Sequence, residues 1–292
     1  MNLKYLILGF ALYMTTSICN AQDVKNVITD GLRFCESTYP LDGKLLIANF
    51  GSEILNPLNN EGKGYILSYS DGTLAPFISS DGNLSAPKGM FEKHNCLYIC
   101  DVNKIVVYDL NSLSSPLQII HFPESETMLN GITGDDNWIY VSVTNTGNIY
   151  RFKPISSSST STAELEFYTS ISGANGLLLE NNVLYVASSP IDEIVKDENR
   201  IYKISDIQNP IPEPLDVKQG KYDGLAIYED SILYASNWEP LQIIAINLHT
   251  NRVDTIIDIS DQIKGAAAIS IYKNRLYIPD LPESKVFEFQ IK

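Results

Sequence analysis

The sequence has little of what identifies several common protein classes. Its 292 residues include only three histidines, and they contain neither a zinc-ligand spacing nor a glycine-rich phosphate loop. Lysine and arginine number 21 against 35 aspartates and glutamates, so the net charge is −14. Because an acidic chain repels a phosphate backbone, this balance argues against nucleic-acid binding. Long helix-forming stretches are also missing, whereas 17 tyrosines and 10 phenylalanines favour β-strands.

The sequence also lacks apolar runs long enough to cross a membrane. A short apolar run at residues 5–13 follows a lysine and precedes small and polar residues that end at Ala21. This order is typical of a cleaved export signal. We therefore predict a signal peptide at residues 1–21 and a single domain at residues 22–292. The protein is expected to be exported, either periplasmic or secreted, and not membrane-spanning.

The four cysteines do not form a disulfide framework. Cys19 falls in the predicted signal, where a lipid anchor is the alternative to plain cleavage; Ile18 disfavours it, because the residue before a lipidated cysteine is normally small. Cys96 and Cys100 lie on one predicted strand about 13 Å apart, which is too far for a disulfide. Either Cys35 bridges one of them or all three are buried free thiols, and the second interpretation is favoured.

A repeat of about 40 to 50 residues is the main signal in the sequence. Four copies contain a glycine followed by an apolar residue, then a turn, then a strand with a central tyrosine between apolar neighbours. A weaker fifth copy has three alanines at 266–268 in place of the glycine motif, and the first copy has neither the glycine nor the tyrosine. These strands are centred on Tyr98, Tyr140, Tyr185, Tyr234 and Tyr277, with Leu46 in the first copy. A further apolar strand follows in all six copies. Six such copies predict an all-β, six-bladed β-propeller with four-stranded blades.

The two ends of the chain are predicted to meet in the last blade. The sixth copy ends at residues 289–291, directly after its third strand, and therefore lacks a fourth strand. The segment from Val24 to Ile28 precedes the first copy and has the composition of a strand. We predict that this N-terminal strand pairs there and closes the ring, which leaves no open sheet edge.

Alignment of the copies predicts a ring of side chains at one mouth of the central channel. The innermost strand of each blade lines the channel, so the residue before the repeated glycine has an equivalent place in every blade. These residues are Glu36, Lys88, Asn130, Asn175, Asp223 and Ala266. Carboxylate and amide oxygens suit Ca²⁺ or Mg²⁺, and two buried carboxylates repel each other unless a cation, a proton or the lysine intervenes. The alternative is that these Asn-Gly and Asp-Gly pairs only form turns.

Three short motifs in this ring resemble those of the senescence marker protein (regucalcin) and gluconolactonase family. Glu36-Ser37 matches the start of a Glu-Ser-Pro motif, Asn175-Gly176-Leu177 matches an Asn-Gly-Leu motif, and Asp223-Gly224 follows 48 residues later. Members of that family are six-bladed propellers that hydrolyse lactones or related esters with one divalent ion on the axis. The resemblance implies that Glu36, Asn175 and Asp223 bind a divalent cation, preferably Ca²⁺ with Mg²⁺ or Zn²⁺ as alternatives. It also implies that Asp223 is the catalytic general base.

The substrate region departs from the family pattern. Where the family has an arginine followed by Asn-Asp-Gly, this chain has Met128-Leu129-Asn130-Gly131. Lys88 is a candidate for the missing positive charge, and we assign it to substrate binding together with Asn130. The resemblance therefore supports the metal site more strongly than a sugar-lactone substrate.

Two functions are consistent with these residues. The first is an exported metal-dependent hydrolase that acts on a small-molecule lactone or ester. The second is a non-catalytic propeller that binds a protein, peptide or glycan and retains Glu36 and Asp223 as remnants. The complete set of three oxygen ligands favours the first function, and the missing arginine favours the second. Catalysis by a Ser-His-Asp triad is not supported, because no histidine lies in a nucleophile motif.

Overall fold

The chain folds as a six-bladed β-propeller, as the repeat predicts. The computed structural model describes residues 17–19, 24–156, 163–190, 192 and 194–291. Within these residues it is all-β, with six sheets whose strands are antiparallel apart from one short parallel edge strand, and no helix, and hence no helix able to cross a bilayer. Most of the predicted signal lies outside the described residues and stays a prediction.

Each blade is a four-stranded antiparallel sheet whose first three strands follow one another along the chain. Blade 1 has β3 (Cys35–Leu41), β4 (Lys44–Asn49), β5 (Tyr65–Ser70) and β6 (Thr73–Ile78); blade 2 has β7 (Met90–Lys93), β8 (Cys96–Asp101), β9 (Lys104–Asp109) and β10 (Gln118–His121); blade 3 has β11 (Leu129–Gly134), β12 (Ile139–Val143), β13 (Asn148–Phe152) and β14 (Glu166–Ser170). Blade 4 has β15 (Ala174–Glu180), β16 (Val183–Ser188), β17 (Ile201–Ile204) and β18 (Glu213–Pro214); blade 5 has β19 (Tyr222–Tyr228), β20 (Ile232–Trp238), β21 (Leu241–Asn247) and β22 (Arg252–Asp258); blade 6 has β23 (Ser270–Tyr272), β24 (Arg275–Asp280), β25 (Lys285–Gln290) and β2 (Val24–Ile28).

The N-terminal strand β2 is the outer strand of blade 6. It pairs antiparallel with β25, with Val27 opposite Phe287 and Ile28 opposite Val286. The first and last segments of the propeller therefore share one sheet. A further short strand, β1 (Ser17–Cys19), pairs parallel with β22 at the outer edge of blade 5.

The repeated tyrosine explains how neighbouring blades pack. Tyr98 lies on the second strand of blade 2 and is fully buried. Its ring lies 5.9 Å from the ring of Phe152 in blade 3. Its hydroxyl donates to the carbonyl of Ile155 (3.0 Å) and accepts from the amide of the same residue (2.8 Å). An aromatic body with a polar end thus joins two sheets without leaving an unpaired polar atom.

The repeated glycine allows the first strands to approach each other closely around the channel. A Cβ atom on Gly131 would overlap the carbonyl oxygen of Asn175, and one on Gly176 would overlap that of Asp223. Only glycine lacks this atom, so the glycine permits the spacing at which successive ring residues lie side by side.

The three cysteines in the propeller are buried and unpaired. Cys35, Cys96 and Cys100 are all free thiols, which confirms the interpretation that the sequence favoured. The thiol of Cys35 donates to the carbonyl of Lys285 (3.1 Å). Burial raises the pKa of both Cys35 and Cys100 far above the usual range, so these thiols stay neutral and unreactive.

Candidate functional site at the channel mouth

Five of the predicted ring residues line one cavity of about 340 Å³. They come from the starts of the first strands of blades 1 to 5 and are at most 8% exposed. The residues are Glu36, Lys88, Asn130, Asn175 and Asp223. Residues that follow the second strands complete the wall, since in an antiparallel blade the first strand begins where the second one ends. The repeat alignment therefore brings these five side chains to one place.

The sixth ring position is Ala267, so the assignment of Ala266 is wrong by one residue. The hydroxyl of Ser236 donates to the carbonyl of Ala267 (2.9 Å), as the equivalent Ser142 donates to that of Asn175. Ala266 instead belongs to the apolar cluster between blades 5 and 6. Blade 6 has alanine where blades 2 to 5 have the repeated glycine, so the run of three alanines did not indicate which of them occupies the ring position.

Glu36 occupies the ring position of blade 1, although the first copy lacks both the glycine and the tyrosine. The amide of Ala268 donates to the carbonyl of Glu36 (3.0 Å). The amide of Gly89 makes the same contact with the carbonyl of Asn130 (3.1 Å) between blades 2 and 3. Because both pairs of blades contain the same hydrogen bond, Glu36 and Asn130 have equivalent positions in their blades. This assignment does not depend on the sequence motif.

Three oxygen atoms in the cavity are buried without a hydrogen-bond partner. They are Oε2 of Glu36, Oδ1 of Asn175 and Oδ1 of Asp223. Buried polar atoms are normally hydrogen-bonded, and an unpaired one costs about 1 to 3 kcal/mol. Three unpaired acceptors in a single cavity are what a divalent cation with oxygen ligands requires. They are also the three residues that the sequence motifs assigned to the metal.

The donor set is two carboxylates and one amide. Within the described part of the chain, no three His, Cys, Asp or Glu side chains lie close enough to share an ion. The site therefore depends on the amide oxygen of Asn175. An all-oxygen set suits a hard cation such as Ca²⁺ or Mg²⁺ better than Zn²⁺, which favours nitrogen and sulfur.

Trp238 orients the carboxylate of Asp223. The indole Nε1 donates to Oδ2 of Asp223 at 3.0 Å, which leaves Oδ1 as the unpaired atom. The same side chain packs over Gly265, where a Cβ would meet the indole ring. Trp238 therefore both lines the channel mouth and packs against the segment that leads into blade 6.

Lys88 is a buried cation in the wall of the cavity. It is 1% exposed, and its ammonium group donates to the carbonyls of Pro57 and Ala86, both at 3.0 Å. The group also lies 5.4 Å from the centre of the Phe50 ring. None of the ion pairs among the described residues joins Lys88 to Glu36 or Asp223. Since an ammonium group has three donors, one remains for a ligand.

Burial changes the ionisation of all three charged residues. Burial and the nearby Asp223 carboxylate raise the pKa of Glu36 to about 8, against a lowering by Lys88. Burial raises the pKa of Asp223 to about 7, partly offset by the hydrogen bond from Trp238. Burial lowers the pKa of Lys88, and the charge of Glu36 acts in the opposite direction. Without a cation, the ring thus favours protonated carboxyl groups, whereas a bound cation favours the ionised form.

The stability of the cation-free protein should therefore fall as the pH rises. A carboxyl whose pKa is higher in the folded state stabilises the fold below its unfolded pKa of about 4 and loses this contribution as the pH rises through its folded value. For Glu36 and Asp223 this loss spans pH 4 to about 8. Thermal unfolding of chelator-treated protein should give a lower Tm at pH 8.5 than at pH 5.5, and Ca²⁺ should raise the Tm more at pH 8.5. In Glu36→Gln the fall should be smaller; an equal fall would show that general surface charge causes it.

The sequence analysis missed a second set of repeated polar residues. At or just after the end of the second strand, an Asn or Asp accepts a backbone amide from the segment that leads into the first strand of the same blade. Asn237, for example, accepts the amide of Lys221 at 2.8 Å. The set comprises Asn49, Asp101, Asn145, Asn237 and Asp280. These residues hold the ring positions in place. The available signal was an Asn or Asp three to five residues after the central Tyr or Leu of the second strand, in every copy except that of Tyr185.

Solved structures similar to this chain have low sequence identity to it, and they show the fold alone. A chain of the nidogen/laminin complex aligns with a TM-score of 0.61 and 15% identity over 81% of this chain and 84% of that one. A streptogramin B lyase structure gives 0.60 and 14% over 91% and 87%. A catalytically inactive histidine variant of virginiamycin B lyase from Staphylococcus aureus, with quinupristin, gives 0.62 and 14% over 91% and 99%. No protein-family model and no curated protein matches the sequence.

The histidines of this chain do not take part in the cavity. His94, His121 and His249 are all exposed, and none lines it. The variant of virginiamycin B lyase is described as inactive after a histidine was replaced. The polar groups that line the channel mouth of this chain include carboxylates, amides and an ammonium group but no imidazole.

Proposed function

We propose that this protein is an exported, divalent-cation-dependent hydrolase of lactones or related esters. The observation that carries the proposal is the set of three unpaired, buried oxygens of Glu36, Asn175 and Asp223 in one cavity. The match of the same residues to the regucalcin and gluconolactonase motifs supports it from the sequence. The cation is expected to be Ca²⁺, with Mg²⁺ and Zn²⁺ as alternatives.

The residues of the ring fit a bound cation. Glu36, Asn175 and Asp223 would hold it, and ionisation of both carboxylates would neutralise its two positive charges. A cation at this place supplies Lewis acidity, which polarises an ester carbonyl and stabilises the oxyanion that develops during hydrolysis. Exclusion of water by the buried cavity strengthens such electrostatic effects.

Asp223 is proposed as the general base. Its Oδ2 is fixed by Trp238 at 3.0 Å, so the carboxylate has one orientation. Oδ1 is assigned to the cation, and the second lone pair of Oδ2 can accept a proton. In that position it takes a proton from the attacking water.

Lys88 and Asn130 are proposed to orient the substrate. Both line the cavity next to the three oxygen donors. The ammonium group of Lys88 has one N–H that no carbonyl occupies, so it can donate to a substrate oxygen. The amide of Asn130 can donate and accept at the same time, which suits the ring oxygen and the carbonyl of a lactone.

Hydrolysis of a panel of lactones and aryl esters tests this function. The protein would be stripped with a chelator, dialysed and assayed with and without added Ca²⁺, Mg²⁺ or Zn²⁺. We expect turnover that is lost on chelation and restored by one of these cations. Asn175→Ala should weaken this restoration strongly, whereas the matched Asn130→Ala should keep cation binding and lose turnover.

The alternative function has its own outcome in this experiment. If folded, cation-loaded protein hydrolyses no member of the panel, the enzyme proposal is wrong. Binding of a protein, peptide or glycan at the channel mouth would then be the function to pursue. Propellers serve both purposes, so the fold does not decide between them.

A further inference from the structure

We infer that the substrate of this site is a lactone or ester with a hydrocarbon side chain rather than a polyhydroxylated sugar lactone. The inference rests on the proposed hydrolase function and adds the class of substrate. It follows from how polar and apolar groups are distributed around the cavity, and from how few polar groups remain once a cation is bound.

One side of the cavity wall is continuously apolar. Phe50 and Leu281 belong to a single buried cluster, against which Leu55 and Trp238 pack. All four side chains also line the cavity. They come from blades 5, 6 and 1, which are neighbours in the ring. This apolar wall, defined as Phe50, Leu55, Trp238 and Leu281, faces a ligand with hydrocarbon surface rather than hydroxyl groups.

The ring position of blade 6 is apolar and adjoins this wall. Blade 6 contributes Ala267, which is fully buried in the same cluster as Phe50 and Leu281. Polar ring residues therefore come from blades 1 to 5 only, and the gap at blade 6 lies next to the apolar wall. If the oxygens of a ligand bind the polar side of the cavity, its remaining atoms contact the side chains of the apolar wall.

The polar side has little capacity left for a polyol. Three of its groups, Glu36, Asn175 and Asp223, are assigned to the cation. The hydroxyl of Thr144 already donates to the carbonyl of Ala174 (3.0 Å), and Lys221 pairs with a carboxylate at 2.9 Å. Lys88, Asn130 and Ser189 remain, which suffices for one ester group but not for the several hydroxyls of a sugar lactone as well. Further hydroxyls of a sugar would be buried without partners, and this weakens binding.

The apolar surface continues outside the cavity. Leu55 and Pro57 lie on the loop between β4 and β5, and the same loop exposes Ile54 (77%) and Leu58 (44%) to solvent. Large exposed aliphatic side chains beside a binding cavity are typical of ligand-binding surfaces. A side chain that leaves the mouth of the cavity on this side would remain in contact with hydrocarbon.

A series of lactones with one ring size tests the inference. The cation-loaded protein would be assayed with δ-valerolactone, δ-octalactone and δ-dodecalactone, and with glucono-δ-lactone corrected for spontaneous hydrolysis. Each buried methylene should raise kcat/KM about fourfold until the apolar wall is covered. We expect kcat/KM at least tenfold higher for δ-octalactone than for δ-valerolactone and lowest for glucono-δ-lactone. Equal or better turnover of glucono-δ-lactone would overturn the inference while leaving the hydrolase function intact.

Two variants test whether the preference for the alkyl lactone depends on the apolar wall. Leu55→Asn should lower the ratio of kcat/KM for δ-octalactone over δ-valerolactone by about tenfold or more. The matched control is Ile211→Asn, since Ile211 is 63% exposed on the loop between β17 and β18 and does not line the cavity. The control should leave the ratio unchanged; an unchanged ratio in Leu55→Asn would contradict the role of the wall.

A binding measurement separates this inference from the hydrolase proposal. Calorimetry with 5-hydroxydecanoate and gluconate compares an alkyl and a polyol product without requiring turnover. Tighter binding of 5-hydroxydecanoate supports the apolar site even if no lactone is hydrolysed, in which case only the hydrolase proposal fails. Tighter binding of gluconate, or binding of neither acid, overturns the inference.

Discussion

Asp223→Asn should reduce lactone or ester hydrolysis at least about 1,000-fold, because it removes both the general base and one charge of the cation site. The amide keeps an oxygen that can accept the hydrogen bond of Trp238. Replacing a buried carboxylate whose pKa is raised by burial should also stabilise the cation-free protein at pH 8. We therefore expect lost activity together with an equal or higher Tm, measured by steady-state kinetics and thermal unfolding.

Asp280→Asn is the matched control for this variant. Asp280 is buried like Asp223, but it lies at the end of a second strand. Its carboxylate accepts hydrogen bonds from the backbone amides of Lys264 and Gly265. Its replacement should lower the Tm while the folded protein stays active. If Asp223→Asn instead retained hydrolysis, or lost activity only because it unfolded, the catalytic role of Asp223 would be wrong.

Gly176→Ala should destabilise the protein by about 3 kcal/mol or more. The new methyl group would overlap the carbonyl oxygen of Asp223, and both partners are backbone-fixed in neighbouring blades. For a domain of this size such a loss lowers the Tm by roughly 6 to 12 °C. The blades can separate only by moving Asp223, so cation affinity should fall as well. Thermal unfolding with and without Ca²⁺ measures both effects.

The natural alanine in blade 6 supplies the control for this prediction. Ala268 has the position of the repeated glycine, and its amide bonds the carbonyl of Glu36 in blade 1 at 3.0 Å. Ala268→Gly should therefore cost only about 1 kcal/mol, mainly through added freedom of the unfolded chain. A mild effect of Gly176→Ala, comparable with that of Ala268→Gly, would show that the close approach of the blades is not required.

The fold was accessible from the sequence because its repeat is regular. The tyrosine of each second strand recurs for a packing reason, as the contacts of Tyr98 with Phe152 and Ile155 show. The alignment is wrong in the copy in which the repeated glycine is replaced. In blade 6 alanine replaces the repeated glycine, and the ring position was placed at Ala266 instead of Ala267.

The site was accessible only in part for a different reason. Equivalent positions converge on the channel by symmetry, so Glu36, Asn175 and Asp223 could be grouped without knowing any distances. Trp238 contacts Asp223 through a side chain that has no counterpart in the other blades. The apolar wall joins residues such as Phe50 and Leu281 from blades that are far apart along the chain, and no local pattern marks them.

Calcium titration by calorimetry tests the central claim most directly. Chelator-treated wild-type protein and Asp223→Asn would be titrated with Ca²⁺ at pH 8, where both carboxyl groups can ionise, and with Mg²⁺ in parallel. The account predicts one binding site per chain in the wild type, weakened at least tenfold in the variant. Folded wild-type protein that binds none of these cations, or binding that is equal in Asp223→Asn, would contradict the assignment of the three buried oxygens to a cation site.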